Sequence, residues 1–140
     1  MNRIFLSMLA LIMFSPAFSQ NSVQADPRVT DYFGTQKVAE WAKNSPDSIK
    51  YYNFFVKHSF EVWHVNNAVY YADSQNATSL SLPEKDLELL LMTNMSEFNI
   101  LKAGLTWQKD KTTWYRLDGT QYMLLLQPLN YLENKFKSGK

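Results

Sequence analysis

Trp114 and Arg116 form the strongest candidate binding site in this sequence. They lie two positions apart in a predicted β-strand, and side chains at that spacing project from the same side of a sheet. An indole ring can stack on a sugar ring or a peptide side chain while a guanidinium donates hydrogen bonds beside it. The strand register that the sequence favours places Lys102, Thr106 and Gln121 around them. These five residues are the predicted ligand- or partner-binding site.

The same surface also has a structural interpretation. A helix could cover Trp114 together with the nearby Met123 and Leu125, and the charged end of Arg116 would then extend past that helix into solvent. This face of the sheet would be part of the packing and not a binding surface. The two interpretations predict the same strand and differ in the exposure of Trp114.

The two histidines do not belong to a recognisable metal or catalytic motif. His58 and His64 have Glu61 midway between them, which is not the His-Glu-x-x-His spacing. On a strand, Glu61 and His64 point to opposite faces. The sequence contains no cysteine, so thiolate zinc sites and Cys-His pairs are excluded. We therefore predict no metal and no cofactor.

Other catalytic patterns are also missing from the sequence. It has no Gly-x-Ser-x-Gly elbow, and its four glycines are far apart, so a glycine-rich phosphate loop cannot form. Glu84, Asp86 and Glu88 alternate at spacings of two and do not meet on one face of a helix. We expect that the protein is not an enzyme, and a hydrolase assembled from distant serine and histidine residues stays open as an alternative.

Residues 1–19 have the pattern of a secretory signal peptide. Arg3 supplies a positive charge, residues 4–14 are apolar except for Ser7, and residues 17–19 read Ala-Phe-Ser, a small-x-small cleavage site. The apolar run is shorter than the about 20 residues that span a bilayer as a helix. No transmembrane anchor is expected after cleavage. Because exported eukaryotic domains of this size usually carry disulfides, we predict a bacterial protein in the periplasm or outside the cell.

The charge balance argues against nucleic acid and anionic lipid as partners. The chain has 14 basic and 13 acidic residues, and the leader takes away one arginine, so the charges of the mature part cancel. Binding to either polyanion rewards a basic excess. The expected partner is an unidentified protein or a glycan, and the sequence does not set the oligomeric state.

The rest of the chain predicts a disordered spacer at residues 20–26 and a single α+β domain at residues 27–140. Helices are expected after Asp26-Pro27, from Thr35, over Asp47 to Lys57, after Pro83 and from Pro128 to about Lys137, because capping residues or prolines precede apolar residues at helical spacing in each. A strand is expected from Phe60 to Val65, where apolar residues alternate.

An antiparallel β-meander of three strands is predicted at about residues 98–127. Asp118-Gly119 has the composition of a two-residue type I′ hairpin loop, which pairs Tyr115 with Tyr122. The strand before this hairpin covers residues 99–108. With an odd loop length between these strands, one face collects Leu101, Ala103, Leu105, Trp107, Tyr115, Leu117, Tyr122, Leu124 and Leu126. We expect the helices at both ends of the domain to pack on this one face.

Two further features each allow two interpretations. Residues 47–49 (Asp-Ser-Ile) resemble the acceptor sequence of some bacterial periplasmic O-glycosylation systems, and an ordinary helix start explains them equally well. Tyr51, Phe54 and Phe55 could form a platform for sugars, or they could be core residues at helical spacing.

These features together predict a small exported domain that acts by binding, as an accessory or interaction protein of the bacterial cell envelope. The alternative is a glycan- or peptide-binding module that uses exposed aromatic residues, and an unrecognised hydrolase comes third.

Overall fold

The predicted α+β class is confirmed. The computed structural model describes residues 22–68, 72–92 and 94–139, and the predicted signal peptide lies outside these ranges. The α-helices of the described residues are α1 (Pro27–Phe33), α2 (Thr35–Asn44), α3 (Pro46–His58), α4 (Val65–Ala68), α5 (Glu84–Leu91) and α6 (Leu129–Ser138). The 3₁₀ helices are η1 (Ala72–Asn76) and η2 (Ile100–Ala103), and the strands are β1 (Phe60–His64), β2 (Thr78–Leu80), β3 (Thr113–Leu117) and β4 (Tyr122–Leu126). None of the helices in the described ranges has the length and apolarity to cross a membrane.

The first helix begins where the sequence predicts. The Asp26 carboxylate accepts the backbone N–H of Arg28 at 3.0 Å, and Pro27 occupies the first helical position. Gly34, with φ of 87°, ends α1 and donates its N–H to the carbonyl of Thr30 at 2.9 Å. Because glycine adopts this positive φ without a steric penalty, α2 can start directly after it in a new direction.

The aromatic residues of α3 contact other rings of the domain. The ring of Phe55 lies 5.1 Å from that of Trp107, and Phe55 is only 6% exposed. Tyr51 and Phe54 contact Phe136 of α6 at centroid distances of 5.3 and 5.6 Å. These contacts attach α6 to α3 and favour the core interpretation of the α3 aromatic residues over a sugar platform.

The sheet is mixed and has the strand order β1-β4-β3-β2. The β3–β4 hairpin forms its centre and is antiparallel, as predicted. β1 pairs antiparallel with β4 at one edge, and the short β2 pairs parallel with β3 at the other edge. The parallel pair was not predicted, because its two strands are separated by more than thirty residues of sequence.

The prediction of a strand at residues 99–108 is wrong. β3 and β4 therefore form a hairpin and not two strands of a three-stranded meander. The side chain of Asn99 accepts the N–H of Leu101 at 3.2 Å and starts η2, which ends at Gly104 with φ of 67°. Such local side-chain capping competes with strand pairing. The carbonyls of Gln108 and Lys109 accept the first N–H groups of α6, at 3.0 and 2.8 Å, and β2 occupies the edge of β3 that this segment was expected to pair with.

The alternating burial predicted for this segment nevertheless occurs. Leu101, Ala103, Leu105 and Trp107 are half-buried and pack against the main core, whereas the residues between them are exposed. A period-two pattern therefore identified the partly buried side chains correctly but did not establish a strand, because Leu101 and Ala103 lie in η2 and Leu105 and Trp107 lie in a segment that pairs with no strand.

The hairpin register differs from the prediction by two residues. Tyr115 pairs with Leu124 and not with Tyr122, so the loop has four residues, 118–121. Asp118 does not have the positive φ that a type I′ turn requires at both central positions, and only Gly119 does, with φ of 73°. Because the shift is even, each side chain stays on its predicted face.

Apolar clusters lie on both faces of the sheet. The larger cluster contains Val29, Val56, Phe60, Leu90, Phe98, Ile100, Leu117, Leu124 and Leu126. The smaller one, on the opposite face, contains Ala68, Trp114, Met123 and Leu125. The expectation that helices pack on one face only is therefore wrong for α4, which contributes Ala68. Leaving three large apolar side chains in water would cost several kcal/mol, so this face is covered as well.

Candidate functional site

A cleft of about 750 Å³ lies where the start of α1, the end of α3 and the segment at residues 94–99 meet. Its volume is in the range of small-molecule sites. The cleft is lined by Asp26, Pro27, Arg28, Asp31, Val56, Lys57, Phe60, Asn94, Met95, Ser96, Glu97 and Asn99. Charged, amide and apolar groups thus share one concave surface.

Arg28 is the most unusual residue of the cleft wall. Although charged, it is only 7% exposed. Its Nε and Nη2 donate to the two carboxylate oxygens of Asp26, both at 2.9 Å, and its Nη1 donates to the carbonyl of Val56 at 3.0 Å. The planar guanidinium matches a carboxylate in this two-bond arrangement. The position of Arg28 is therefore fixed from both α1 and α3.

Asp26 is itself held by α3. Its backbone N–H donates to Oδ1 of Asn53 at 2.7 Å, and Nδ2 of Asn53 donates to the carbonyl of Gln24 at 2.8 Å. Gln24 and Asp26, which belong to the predicted spacer, are thus hydrogen-bonded to α3. The hydrogen bond from the Arg28 side chain holds the pKa of Asp26 below its usual value, and partial burial opposes this effect.

A second polar group borders the cleft at Asn99. Its Nδ2 lies within hydrogen-bond distance of the carbonyl of Arg28, at 3.0 Å, and of a carboxylate oxygen of Asp31, at 3.1 Å. Lys102 forms an ion pair with the same carboxylate at 2.6 Å. The hydrogen bonds from Lys102 and Asn99 lower the pKa of Asp31, so the Asp31 carboxylate stays ionised and already has a cationic partner.

The opposite rim is a compact turn at residues 94–97. Nδ2 of Asn94 donates to Glu97 at 2.8 Å, and the hydroxyl of Ser96 donates to Oδ1 of Asn94. Met95 is 45% exposed in this turn. These contacts give the rim a defined shape and leave an apolar side chain at the entrance.

The five sequence-predicted site residues do not come together as expected. Trp114 is 4% exposed, and its ring contacts that of Trp63 at 6.3 Å. Arg116 and Gln121 are exposed, and Gln121 is bonded to His64 at 3.2 Å. Lys102 is paired with Asp31 of α1, and Thr106 is exposed in the segment after η2, because residues 99–108 do not join the sheet.

The histidines and Glu61 have neighbours of other kinds. No group of three or more potential metal ligands occurs among the described residues. Glu61 accepts hydrogen bonds from Trp63 at 3.1 Å and from Gln127 at 2.7 Å. Partial burial, with smaller contributions from Lys135 and Lys57, lowers the pKa of His58.

The Asp-Ser-Ile sequence lies at the start of α3. The hydroxyl of Ser48 is 2.8 Å from that of Ser45, and the exposed Asp47 pairs with Lys50 at 2.9 Å. These are ordinary contacts of a helix N-terminus, and they match the structural interpretation of this motif.

Sequence reasoning missed the cleft but identified one of its parts. Asp26 was predicted as the cap of α1, whereas the pairing of Arg28 with it was not. One feature of the sequence could have indicated this pairing: Arg28 follows the capping residue Asp26 by two positions, in a helix that packs on its neighbours. The fold and this cleft define an α+β domain with a buried ion pair in the wall of a ligand-sized site. Comparisons of the chain with protein-family models, with curated proteins and with solved structures found no match.

Proposed function

We propose that this protein is a small exported binding domain of the bacterial cell envelope and that the cleft beside Arg28 is its binding site. The observation that carries this proposal is the buried Arg28–Asp26 pair in the wall of a cleft of about 750 Å³. A buried ion pair adds little net stability compared with well-packed apolar residues. Its presence beside a concave surface is therefore better explained by recognition than by folding alone.

The rigidity of the wall supports binding. Three hydrogen bonds from the Arg28 side chain fix its guanidinium before any ligand arrives. A preorganised group loses little conformational entropy on binding, so more of the contact energy contributes to affinity. The cleft is thus suited to hold a ligand in one orientation.

The predicted signal peptide at residues 1–19 supports an exported location. The near-equal numbers of basic and acidic residues support an accessory or interaction protein of the envelope over a nucleic-acid-binding protein. The alternative of a glycan- or peptide-binding module on the sheet has less support, since the 4% exposure of Trp114 leaves little indole surface for stacking.

A photoreactive residue in the cleft tests this function in living cells. We expect p-benzoylphenylalanine at position 96, on the exposed rim, to form covalent adducts that intact-mass spectrometry detects in the exported protein. The same group at position 116, on the exposed part of the sheet, is the matched control and should give few adducts. Adducts at position 116 alone, or the same adducts at both positions, would contradict the proposed site.

A further inference from the structure

We infer that the cleft binds a small ligand whose carboxylate is held by Arg28 and Lys57 and whose apolar body contacts the neighbouring wall. This inference rests on the proposed function and specifies the chemical class of the ligand. It depends on three observations: the hydrogen-bond donors that Arg28 has left, the charge balance of the cleft and its apolar residues.

Arg28 retains donors that no described residue uses. A guanidinium has five N–H groups, and three of them donate to Asp26 and Val56. Since each terminal nitrogen carries two hydrogens and uses one, a free N–H remains on Nη1 and another on Nη2. A carboxylate oxygen can accept a hydrogen bond from such an N–H group. Because Arg28 lines the cleft, an acceptor bound there can pair with a donor that would otherwise stay unpaired at a cost.

Two charges that line the cleft have no ion-pair partner among the described residues, the cation of Lys57 and the anion of Glu97. Asp26 neutralises Arg28, and Lys102 neutralises Asp31. Lys57 lines the cleft, is exposed, and forms no ion pair with any described residue. It is close enough to Asp26 to contribute to the lowered pKa of that carboxyl group. A ligand carboxylate bound at Arg28 is therefore also attracted by the positive charge of Lys57.

One anion opposes this arrangement. Glu97 lies on the far rim, where its carboxylate is exposed and accepts a hydrogen bond from Asn94. Because solvent screens an exposed charge strongly, Glu97 affects the bound carboxylate less than the buried Arg28 does. It would disfavour ligands that carry several negative charges, so a single carboxylate fits best.

Part of the remaining wall is apolar. Pro27, Val56, Phe60 and Met95 line the cleft next to the charged groups, and of these Pro27 and Met95 keep exposed surface whereas Val56 and Phe60 are buried. A purely polar ion would leave the exposed apolar surface in water, whereas an aryl or short alkyl body buries it at roughly 25 cal/mol per Å². An amphipathic monocarboxylate satisfies both parts of the site.

Binding of 3-phenylpropionate, compared with its uncharged analogue 3-phenylpropionamide, tests the inference on the unmodified protein. We expect the acid to bind in the cleft at least about ten-fold more tightly than the amide, because hydrogen bonds to charged groups exceed those between neutral groups. Chemical-shift titration of the ¹⁵N-labelled mature protein gives both the affinity and the location. Similar affinities for the two compounds in the cleft would overturn the carboxylate inference and leave the proposed binding function intact.

An exposed lysine provides a variant that does not disturb the fold. Lys57→Met should weaken binding of the acid by about two- to five-fold, which is the range for an exposed charge, and should leave binding of the amide unchanged. Lys43→Met, at an exposed position on α2, is the matched control and should change neither. Equal affinity of the acid for all three proteins would overturn the role assigned to Lys57. Absence of acid binding in the cleft would overturn the whole inference. The crosslinking experiment at position 96 tests the proposed binding function independently of the ligand class.

Discussion

Asp26→Ala is expected to lower the free energy of unfolding by about 3–5 kcal/mol, because it leaves the charge of Arg28 buried without its partner. The side chains of Arg28 and Asp26 are 8% and 13% exposed, so solvent replaces the lost carboxylate only in part. The substitution also removes the cap of α1, which contributes about 0.5–2 kcal/mol in other helices. Urea unfolding at neutral pH measures the change.

Asp47→Ala is the matched control for this prediction. Asp47 is also an acid at the start of a helix, but its side chain is 82% exposed and its pair with Lys50 lies on the surface. Its loss should cost no more than about 1 kcal/mol. If Asp26→Ala were no more destabilising than Asp47→Ala, the structural importance of the buried pair would be refuted.

The effect of Asp26 should depend on pH. The hydrogen bond from Arg28 lowers the pKa of Asp26 in the folded state below 3.8, its value in the unfolded chain. A carboxyl group with a lowered folded-state pKa contributes stability above pH 3.8 and loses it as the pH falls through the folded-state pKa. The stability difference between wild type and Asp26→Ala should therefore be largest near neutral pH and should shrink below pH 3.8.

Trp114→Ala is expected to destabilise the fold by about 3–5 kcal/mol, as large aromatic-to-alanine changes in cores do. Trp114 is 4% exposed and packs with Ala68, Met123 and Leu125. The cleft lies elsewhere and shares no lining residue with this cluster. Thermal or urea unfolding measures the loss, and the chemical shifts of the cleft amides should stay unchanged.

Tyr131→Ala provides the comparison for this prediction. Tyr131 is 46% exposed on α6, so its removal should change stability by no more than about 0.5 kcal/mol. A Trp114→Ala protein of wild-type stability that no longer bound its cellular partner would instead support the sheet surface as the functional site.

The sequence predicted the faces of the hairpin but not its register. Apolar alternation places Trp114 and Met123 on one face and Leu117 and Leu124 on the other, and an even shift preserves this assignment. The register depends on the backbone of Asp118, which does not adopt the positive φ of a two-residue loop. Residue type alone does not determine that choice, because Asp-Gly also fits turns with a single positive φ.

The error at residues 99–108 has a different cause. The alternation of Leu101, Leu105 and Trp107 correctly indicated burial. β2, which is distant in the sequence, pairs with the edge of β3 that residues 99–108 were expected to occupy. Neither the sequence of β2 nor that of residues 99–108 indicates which of the two pairs with β3. Such non-local competition is not visible in a pattern of adjacent residues.

The cleft could not be predicted from the sequence for a related reason. Its wall combines residues 26–31, 56–60 and 94–99, which are far apart in the chain. Asp26 was identified as a helix cap from local rules. The burial of Arg28 requires the carbonyl of Val56, whose position depends on how α3 packs against α1.

The most direct test of the binding site is a chemical-shift map of the ¹⁵N-labelled mature protein titrated with a library of small fragments. We expect saturable shifts concentrated in the amides of residues 26–31, 56–60 and 94–99, which surround the cleft. Saturable shifts concentrated instead at the β3–β4 hairpin, or no saturable shifts in the cleft with any fragment, would contradict the assignment of the site to the Arg28 cleft.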